Sequence, residues 1–190
     1  MKFLKLVTSA AAASALLAAC GGGDSVSEGP SFDTSGAPGS LVATPTALTT
    51  LTPAAFQAAA PASLFQVAGV PKCNVTFNYF QYGTVGGAGE KTSASGGIMV
   101  PSGTDAACTG ERPVLLYAHG TTTDKNKNMA SPQDSEAALI AAMYAAQGYI
   151  VVAPNYAGYE ASTLPYHPYL NMDQQAKDMV DALTAARKGF

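Results

Sequence analysis

The sequence has no tryptophan, only two histidines and three cysteines, and charged side chains at only 12% of its 190 residues. Lysine and arginine together number 10 against 13 aspartates and glutamates, so the formal net charge is −3. Nucleic-acid-binding proteins usually need a basic patch and aromatic side chains on which bases stack, so this composition argues against a nucleic-acid partner. Hydrophobic residues, at 47%, are abundant enough to form a core, which argues against disorder of the whole chain.

The first twenty residues, MKFLKLVTSAAAASALLAAC, have the pattern of a targeting segment. Two lysines precede an apolar, alanine-rich run that is too short for a membrane span. The run ends in LAAC, which resembles the lipobox of bacterial lipoproteins and implies that Cys20 is lipidated; an ordinary signal peptide with an incidental cysteine is the alternative. Glycine rather than aspartate follows Cys20, which by the same resemblance favours the outer membrane. We therefore expect residues 1–20 to be a lipoprotein signal peptide and the protein to be exported and held on the bacterial cell envelope by a lipid anchor.

The residues after the targeting segment divide into a tether and a domain. Residues 21–44 are rich in glycine, serine and proline, a composition typical of a flexible linker. The remaining residues, 45–190, have a length suited to one domain. Near the start of this domain, Thr52 and Pro53 have the pattern of a helix cap followed by proline at the first helical position, which predicts a short helix to Pro61.

Two strands joined by a glycine-rich turn are predicted between residues 73 and 101. Val75, Phe77 and Tyr79 alternate with polar residues, which is the period of a half-buried strand. The turn GTVGGAGE is followed by a second strand, residues 92–100, rather than by a helix. Its glycines therefore favour a hairpin over a phosphate-binding loop, which needs a helix N-terminus.

Cys73 opens the first of these strands and Cys108 follows the end of the second. In an oxidising compartment a disulfide between them is the expected state. A metal site is the alternative, but neither a C-x-x-C motif nor a nearby histidine supports it. We therefore predict a Cys73–Cys108 disulfide, and the sequence signals no metal and no organic cofactor.

Two continuous apolar runs, PVLLYA at residues 113–118 and YIVVA at residues 149–153, predict strands buried on both faces of a parallel sheet. A helix is predicted between them, capped by Asp134 or Ser135 and ended by Gly148. Strand, helix and strand together predict a right-handed crossover unit.

A last helix is predicted over residues 174–190. Its helical spacing places an apolar stripe toward the core, made of Ala176, Met179, Val180, Leu183 and Ala186. Asp178 and Asp181 fall on the other face, where we expect a solvated surface rather than an acid–base pair.

The strand PVLLYA ends in His119, Gly120, Thr121 and Thr122. In open α/β folds, ligands bind at the edge of the sheet where parallel strands have their carboxyl ends. Glycine lets a backbone approach a substrate closely. Free backbone N–H groups at such a place can stabilise the oxyanion that develops during acyl transfer.

The run YAHGTTT, followed after the crossover by YIVVAPNYAGYE, resembles the α/β-hydrolase superfamily. More narrowly, it is similar to bacterial secreted esterases and lipases with an H-G-T oxyanion loop, and DMVDALTAARKGF resembles the helix before their nucleophile strand. The resemblance covers residues 71–190. It implies an α/β fold with an incomplete α/β-hydrolase sheet, in which an N-terminal hairpin joins a parallel βαβ unit with flanking helices. It also implies an ester or lipid small molecule as substrate.

The resemblance assigns a role to each residue of the two motifs. Thr121 donates its backbone N–H to the oxyanion and Gly120 makes room for the substrate, while His119 and Thr122 shape the loop. Four residues of the second motif shape the turn beside the active-site floor: Pro154, Asn155, Tyr156 and Gly158. Asn155 replaces the aspartate common at its position. His167 is expected to pack in an aromatic loop rather than to act as a catalyst.

The nucleophile of this superfamily lies in a G-x-S-x-G motif, with its acid and histidine partners further along the chain. The sequence contains no such motif, and no histidine follows His167. We therefore expect no catalytic residue here, a truncated N-terminal half whose C-terminal half is missing, and no activity from the chain alone. The PVLLYAH strand is then expected to have an unpaired apolar edge. The alternative is a non-catalytic envelope lipoprotein that uses the same scaffold for binding.

Overall fold

The computed structural model describes residues 36–189. The predicted signal peptide, the lipidation site Cys20 and the first part of the tether lie outside the described residues, as does Phe190. Residues 36–44, which end the predicted tether, lie beside a strand, where Leu41 forms a bridge with Tyr82 and the Gly39 N–H donates to the Gly83 carbonyl oxygen.

Nine α-helices and β-strands follow in the described part of the chain. They are β1 (Thr46–Leu51), α1 (Pro53–Ala59), α2 (Ala62–Ala68), β2 (Asn74–Val85), β3 (Lys91–Ser102), β4 (Val114–Leu116), α3 (Ser135–Met143), β5 (Ile150–Pro154) and α4 (Met172–Gly189). The five strands form one mixed sheet in the order β1-β2-β3-β5-β4. Only β4 and β5 are parallel, and the other neighbours are antiparallel. The predicted fold class is confirmed.

The predicted hairpin is formed by β2 and β3, which pair from Asn74↔Ser102 to Val85↔Lys91. The predicted helix is confirmed as α1, where the Thr52 hydroxyl accepts a hydrogen bond from the Ala55 N–H and Pro53 is the first helical residue. The sequence analysis did not identify α2 or β1. Strand β1 is almost fully exposed, so it has no buried face to give it an alternating apolar pattern.

The sheet has a hydrophobic cluster on each face, because successive side chains of a strand point in opposite directions. One cluster joins β2, β3 and β5 to α1, α2 and α3, and includes Phe56, Phe77, Met99, Ile140 and Val151. The other lies under α4 and includes Phe80, Tyr82, Ile98, Val152 and Ala185. The sheet is therefore covered on both faces where β5 lies, as predicted for that strand.

Strand β4 corrects the prediction that both apolar runs are buried on both faces. It has three residues and lies at the edge of the sheet, paired only with β5 among the described strands. The Val114 side chain is 47% exposed, and Leu115 and Leu116 are half-buried. An apolar run indicates burial only when neighbours cover both faces and both edges, and the described residues cover just one edge of β4. The predicted unpaired apolar edge is present in this part of the chain.

Helix α4 corrects the prediction of its buried face, including the expectation that Asp178 lies on a solvated surface. Its buried residues are Gln174, Asp178, Ala182, Ala185 and Ala186, whereas Ala176 is exposed and Val180 is 60% exposed. The alanines are small, so the helix approaches the sheet closely along their face. Of the other residues in the predicted stripe, Met179 and Leu183 are half-buried, and Ala186 alone is buried as expected.

The predicted disulfide is confirmed. Cys73 and Cys108 are bonded, with their Cα atoms 5.5 Å apart. Cys108 lies in a short 3₁₀ turn after β3, and both residues are buried. The bond joins the residue before β2 to the segment that leads into β4.

Candidate active site

Two loops meet at the carboxyl ends of the parallel strands β4 and β5. The first follows β4 and contains His119–Thr122; the second follows β5 and contains Asn155–Gly158. The His119 Nε2 atom lies 3.2 Å from the Asn155 carbonyl oxygen, and the Tyr156 hydroxyl donates to the His119 carbonyl oxygen at 3.3 Å. The structure thus brings together the two motifs that the sequence analysis assigned to one site.

The His119 side chain is buried between the two loops. Its ring stacks on the Tyr156 ring with centroids 4.2 Å apart, and its Nδ1 atom lies 2.8 Å from the Gly120 carbonyl oxygen. Both ring nitrogens face backbone carbonyl oxygens, and a nitrogen that carries a proton donates to such an oxygen. Among the described residues, the His119 ring makes no hydrogen bond to a side chain, so its contacts are those of a residue that orders the backbone.

The backbone of Gly120 and Thr121 presents two different N–H groups. The Gly120 N–H donates to the Glu136 Oε1 atom at 2.9 Å. The Thr121 N–H donates to no acceptor within residues 36–189, and Thr121 is exposed at the cleft. A Cβ atom at Gly120 would have only Glu136 Oε1, at 3.8 Å, within 4 Å, so there is open space beside this glycine.

Glu136 lies in the first turn of α3 and collects three hydrogen bonds. Besides the Gly120 N–H, its Oε1 atom accepts from the Tyr117 hydroxyl at 2.7 Å, and its Oε2 atom accepts from the Lys127 ammonium at 2.8 Å. Burial alone would raise the pKa of Glu136, but these donors outweigh burial and lower the pKa to about 2. The carboxylate is therefore ionised throughout the physiological range.

Asn155 is fully buried and hydrogen-bonded at both ends of its amide. Its Oδ1 atom accepts from the Met129 N–H at 2.7 Å, and its Nδ2 atom donates to the Ser95 hydroxyl at 2.9 Å. Its backbone N–H donates to the Ser95 carbonyl oxygen. The Asn155 amide thus accepts one hydrogen bond and donates another. An ionised aspartate at this position would lack the N–H that donates to Ser95.

The turn after Asn155 has a backbone that favours specific residues. Tyr156 has φ +68° and Gly158 has φ +89°. A Cβ atom at Gly158 would lie 2.0 Å from the Tyr166 carbonyl oxygen, so only glycine fits there. Between them, the Ala157 N–H donates to the buried Asp178 carboxylate of α4 at 2.7 Å, which fixes the turn to the helix below the sheet.

Two neighbouring cavities open beside the H-G-T loop. A small one of about 90 Å³ lies against His119, Gly120, Thr121 and Tyr156. A larger one of about 550 Å³ is lined by Thr121, Thr122, Thr123, Lys125, Tyr159, Pro165, Tyr166, His167 and Tyr169. The walls of both cavities contain no serine, cysteine or carboxylate among the described residues. The walls of these cavities, as far as the structure describes them, therefore provide an aromatic cleft and a free backbone donor, without a serine, cysteine or carboxylate nucleophile.

His167 lines both cavities and has aromatic neighbours, as expected from its sequence setting. Its ring centroid lies 4.6 Å from that of Tyr159, and its Nδ1 atom lies 2.9 Å from the Ala157 carbonyl oxygen. Burial holds the pKa of His167 below its usual value, which disfavours the protonated ring.

Sequence reasoning missed two carboxylates that fix the site. The sequence pattern indicated only that Glu136 lies in the first turn of α3, and it placed Asp178 on a solvated face of α4. Neither position carries a motif, and each partner lies far along the chain: Gly120 for Glu136, and Tyr82 and Ala157 for Asp178. The Asp134 cap of α3 was the nearest signal, since it indicated where the first turn begins.

Within residues 36–189, no three or more histidine, cysteine, aspartate or glutamate side chains are grouped so as to hold a metal ion. In the same part of the chain, no helix combines the length and apolar character needed to span a bilayer.

Solved structures with a similar fold are enzymes or candidate enzymes. The rice cell wall degrading esterase LipA from Xanthomonas oryzae matches 80% of this chain with 34% sequence identity and a TM-score of 0.69. The described residues form part of an α/β-hydrolase fold. A ligand-bound form of the same esterase matches with a TM-score of 0.68. A candidate hydrolase from Legionella pneumophila, 23% identical over 78% of this chain with a TM-score of 0.63, supports the same fold.

The match leaves much of each neighbour uncovered. The chain spans 38% of the length of the Xanthomonas esterase and 38% of the Legionella protein. No protein-family model matches the chain, and no curated protein sequence matches it. The partial α/β-hydrolase fold and the likeness to esterases are therefore the established points.

Proposed function

We propose that this chain supplies the oxyanion loop of a secreted bacterial ester hydrolase of the α/β-hydrolase superfamily, acting on carboxylic esters through a serine acyl-transfer mechanism. The observation that carries the proposal is the free Thr121 N–H at the carboxyl edge of the parallel strands. The identity of 34% to an esterase over 80% of the chain supports the reaction class.

The mechanism follows from where charge develops. When a nucleophile attacks an ester carbonyl, the carbonyl oxygen becomes an oxyanion, and a donor already aimed at that oxygen stabilises the transition state. The Thr121 N–H is such a donor. The residues that shape its surroundings are His119, Thr122 and the turn Pro154–Gly158, and the open side of Gly120 admits the substrate.

The catalytic serine, acid and histidine are proposed to lie outside the 190 residues, because the sequence has no G-x-S-x-G motif. A hydroxyl nucleophile also needs an adjacent base, and both histidines of the chain bind backbone carbonyl oxygens. We therefore expect the chain alone not to hydrolyse p-nitrophenyl butyrate above the rate in buffer.

The proposal includes export and a lipid anchor at Cys20. The disulfide between Cys73 and Cys108 supports an oxidising compartment, and the lipobox-like LAAC supports anchoring on the cell envelope, with the outer membrane favoured. Radiolabelled palmitate incorporated into the wild-type chain, and not into Cys20→Ser, is the expected result in a bacterial host. Equal labelling of both chains would refute the anchor.

A chimera tests the catalytic proposal. The chain replaces the matching 38% of the Xanthomonas esterase, and the product is assayed with p-nitrophenyl butyrate. We expect hydrolysis by the chimera, and a loss of about 100-fold to 1,000-fold in kcat for Thr121→Pro, which removes the N–H. Thr121→Ala is the matched control, since it removes the side chain and retains the N–H.

The outcomes separate the two functions considered. A folded chimera in which Thr121→Pro is as active as Thr121→Ala would refute the oxyanion role of Thr121. A folded, disulfide-bonded chimera with no hydrolysis, together with binding of ester by the chain, would favour the non-catalytic envelope lipoprotein instead.

A further inference from the structure

We infer that Glu136 is a positioning residue for the H-G-T loop: its carboxylate binds the Gly120 N–H and thereby orients the adjacent Thr121 N–H, which has no acceptor among the described residues, for use as a donor at the cleft. This inference rests on the proposed oxyanion role of Thr121. It concerns a residue of α3 that lies 16 positions from Gly120 in sequence and outside both motifs.

Two consecutive peptide units form the backbone on either side of Gly120. The first contains the His119 carbonyl and the Gly120 N–H; the second contains the Gly120 carbonyl and the Thr121 N–H. Each unit is planar and trans, so its carbonyl and N–H point in opposite directions, and the described chain has no cis peptide bond. Fixing one end of a unit therefore fixes the direction of the other end.

Three of the four polar groups in these two units have partners in the structure. The Gly120 N–H donates to Glu136, the His119 carbonyl accepts from the Tyr156 hydroxyl, and the Gly120 carbonyl faces His119 Nδ1 at 2.8 Å. The fourth group is the Thr121 N–H, which has no acceptor within the described residues. Since its carbonyl points to the His119 ring, this N–H points away from that ring.

Glu136 is the only carboxylate among these partners. Hydrogen bonds to an ionised acceptor are stronger than those between neutral groups. The Tyr156 bond to the His119 carbonyl is long, at 3.3 Å, whereas the Glu136 bond is 2.9 Å. Glu136 therefore contributes most to the orientation of the first peptide unit, and through the Gly120 Cα it limits the rotation of the second.

The position of Glu136 is itself fixed from three sides. The Asp134 side chain caps α3 by accepting from the N–H groups of Glu136 and Ala137, both at 3.0 Å. Lys127 bridges Asp134 and Glu136, with nitrogen–oxygen distances of 2.9 and 2.8 Å. The Tyr117 hydroxyl, next to β4, donates to the same oxygen that accepts the Gly120 N–H. The carboxylate thus couples the start of α3 to the end of β4.

The same contacts exclude Glu136 as a general base. A general base works best when its pKa is near the operating pH, and the three donors lower the pKa of Glu136 to about 2. Its oxygens already accept the Gly120, Tyr117 and Lys127 donors, and Glu136 lines neither cavity beside the loop. It acts on the site through the backbone and touches no substrate.

The test uses the full 190-residue chain, uniformly ¹⁵N-labelled and held in a mild detergent, with amide signals followed by NMR. The variants are Glu136→Ala, which removes the acceptor, and Glu136→Gln, which retains a neutral acceptor. Glu111→Ala is the matched control: it removes one carboxylate from an exposed position that makes no side-chain hydrogen bond in the described residues. Butyrate serves as the probe, because its carboxylate presents an oxyanion to backbone donors.

We expect the Gly120 N–H to exchange with solvent about tenfold faster in Glu136→Ala than in the wild type, and at an intermediate rate in Glu136→Gln. We also expect butyrate to shift the Thr121 amide signal in the wild type, and to shift it by roughly half or less in Glu136→Ala at the same concentration. Glu136→Gln should restore part of this response, and Glu111→Ala should behave as the wild type in both measurements.

Equal Gly120 exchange in the wild type and in folded Glu136→Ala would overturn the inference. So would a Thr121 response to butyrate that is unchanged in Glu136→Ala, because Glu136 would then stabilise the fold without aiming the donor. Failure of the proposed function gives a different result. Butyrate then leaves the Thr121 amide signal of the wild type unchanged, while the Gly120 N–H still exchanges faster in Glu136→Ala. That outcome would refute the oxyanion role of Thr121 and support the role of Glu136 in ordering the loop.

Discussion

Asp178 on α4 provides a prediction whose size can be worked from the structure. Its carboxylate is fully buried and accepts from the Tyr82 hydroxyl and from the Ala157 N–H, both at 2.7 Å. Burial raises the pKa of Asp178 to about 6, against the lowering effect of these two donors. The folded chain therefore binds this proton more tightly than the unfolded chain, in which an aspartate has a pKa of about 3.9.

The sign of the effect follows from this difference. The protonated carboxyl stabilises the folded state fully below about pH 4, and this contribution is lost as the pH rises through about 6. The whole loss amounts to about 3 kcal/mol, of which about 2 kcal/mol falls between about pH 4 and pH 7. Asp178→Asn remains neutral at every pH, so its free energy of unfolding should lack this fall.

Urea unfolding followed by circular dichroism, at about pH 4 and about pH 7, measures the difference. All other titrating groups are common to the wild type and Asp178→Asn and cancel in the comparison. Asp181→Asn is the control on the same helix; Asp181 is half-buried, burial raises its pKa, and its change should be smaller and in the same direction. An Asp178→Asn chain with the same fall in stability as the wild type would refute the reasoning.

Two further predictions concern stability. Replacing Cys73 and Cys108 by alanine opens a loop closed across 35 positions and should lower the free energy of unfolding by about 4 kcal/mol. The wild type reduced with dithiothreitol should melt at the same temperature as this variant. An unchanged midpoint of urea unfolding would contradict the expectation. Gly158→Ala brings a Cβ atom to 2.0 Å from a carbonyl oxygen and should cost more than about 3 kcal/mol. Gly89→Ala, at φ +80° with nothing within 4 Å, should cost only about 1 kcal/mol, so equal losses of Tm would show that steric crowding at Gly158 is not the cause.

The fold class could be predicted because its signals are local. The alternation in β2, the continuous apolar run of β5 and the Asp134 cap of α3 each depend on neighbours within a few residues, and these elements were found close to their predicted places. The disulfide could also be predicted, because each cysteine stands at one end of the hairpin that brings them together.

The errors occur where burial depends on distant parts of the chain. β4 has the composition of a central strand, yet it lies at the edge of the described sheet with Val114 half exposed. β1 has no apolar period because β2 holds it by backbone hydrogen bonds and neither of its faces is covered. Asp178 looks like a surface residue of α4 until the fold places Tyr82 and the Ala157 N–H against it.

The sequence by itself determined which residues stand at the candidate site, since the H-G-T run and the P-N-Y-A-G run each follow an apolar strand. It also determined that no G-x-S-x-G motif accompanies them. Only the tertiary structure decided which backbone donor is free. A hydrogen bond between Gly120 and Glu136 joins a loop to a helix across 16 residues, and no local pattern reports such a contact, because its two ends meet only after β4, α3 and β5 have packed together.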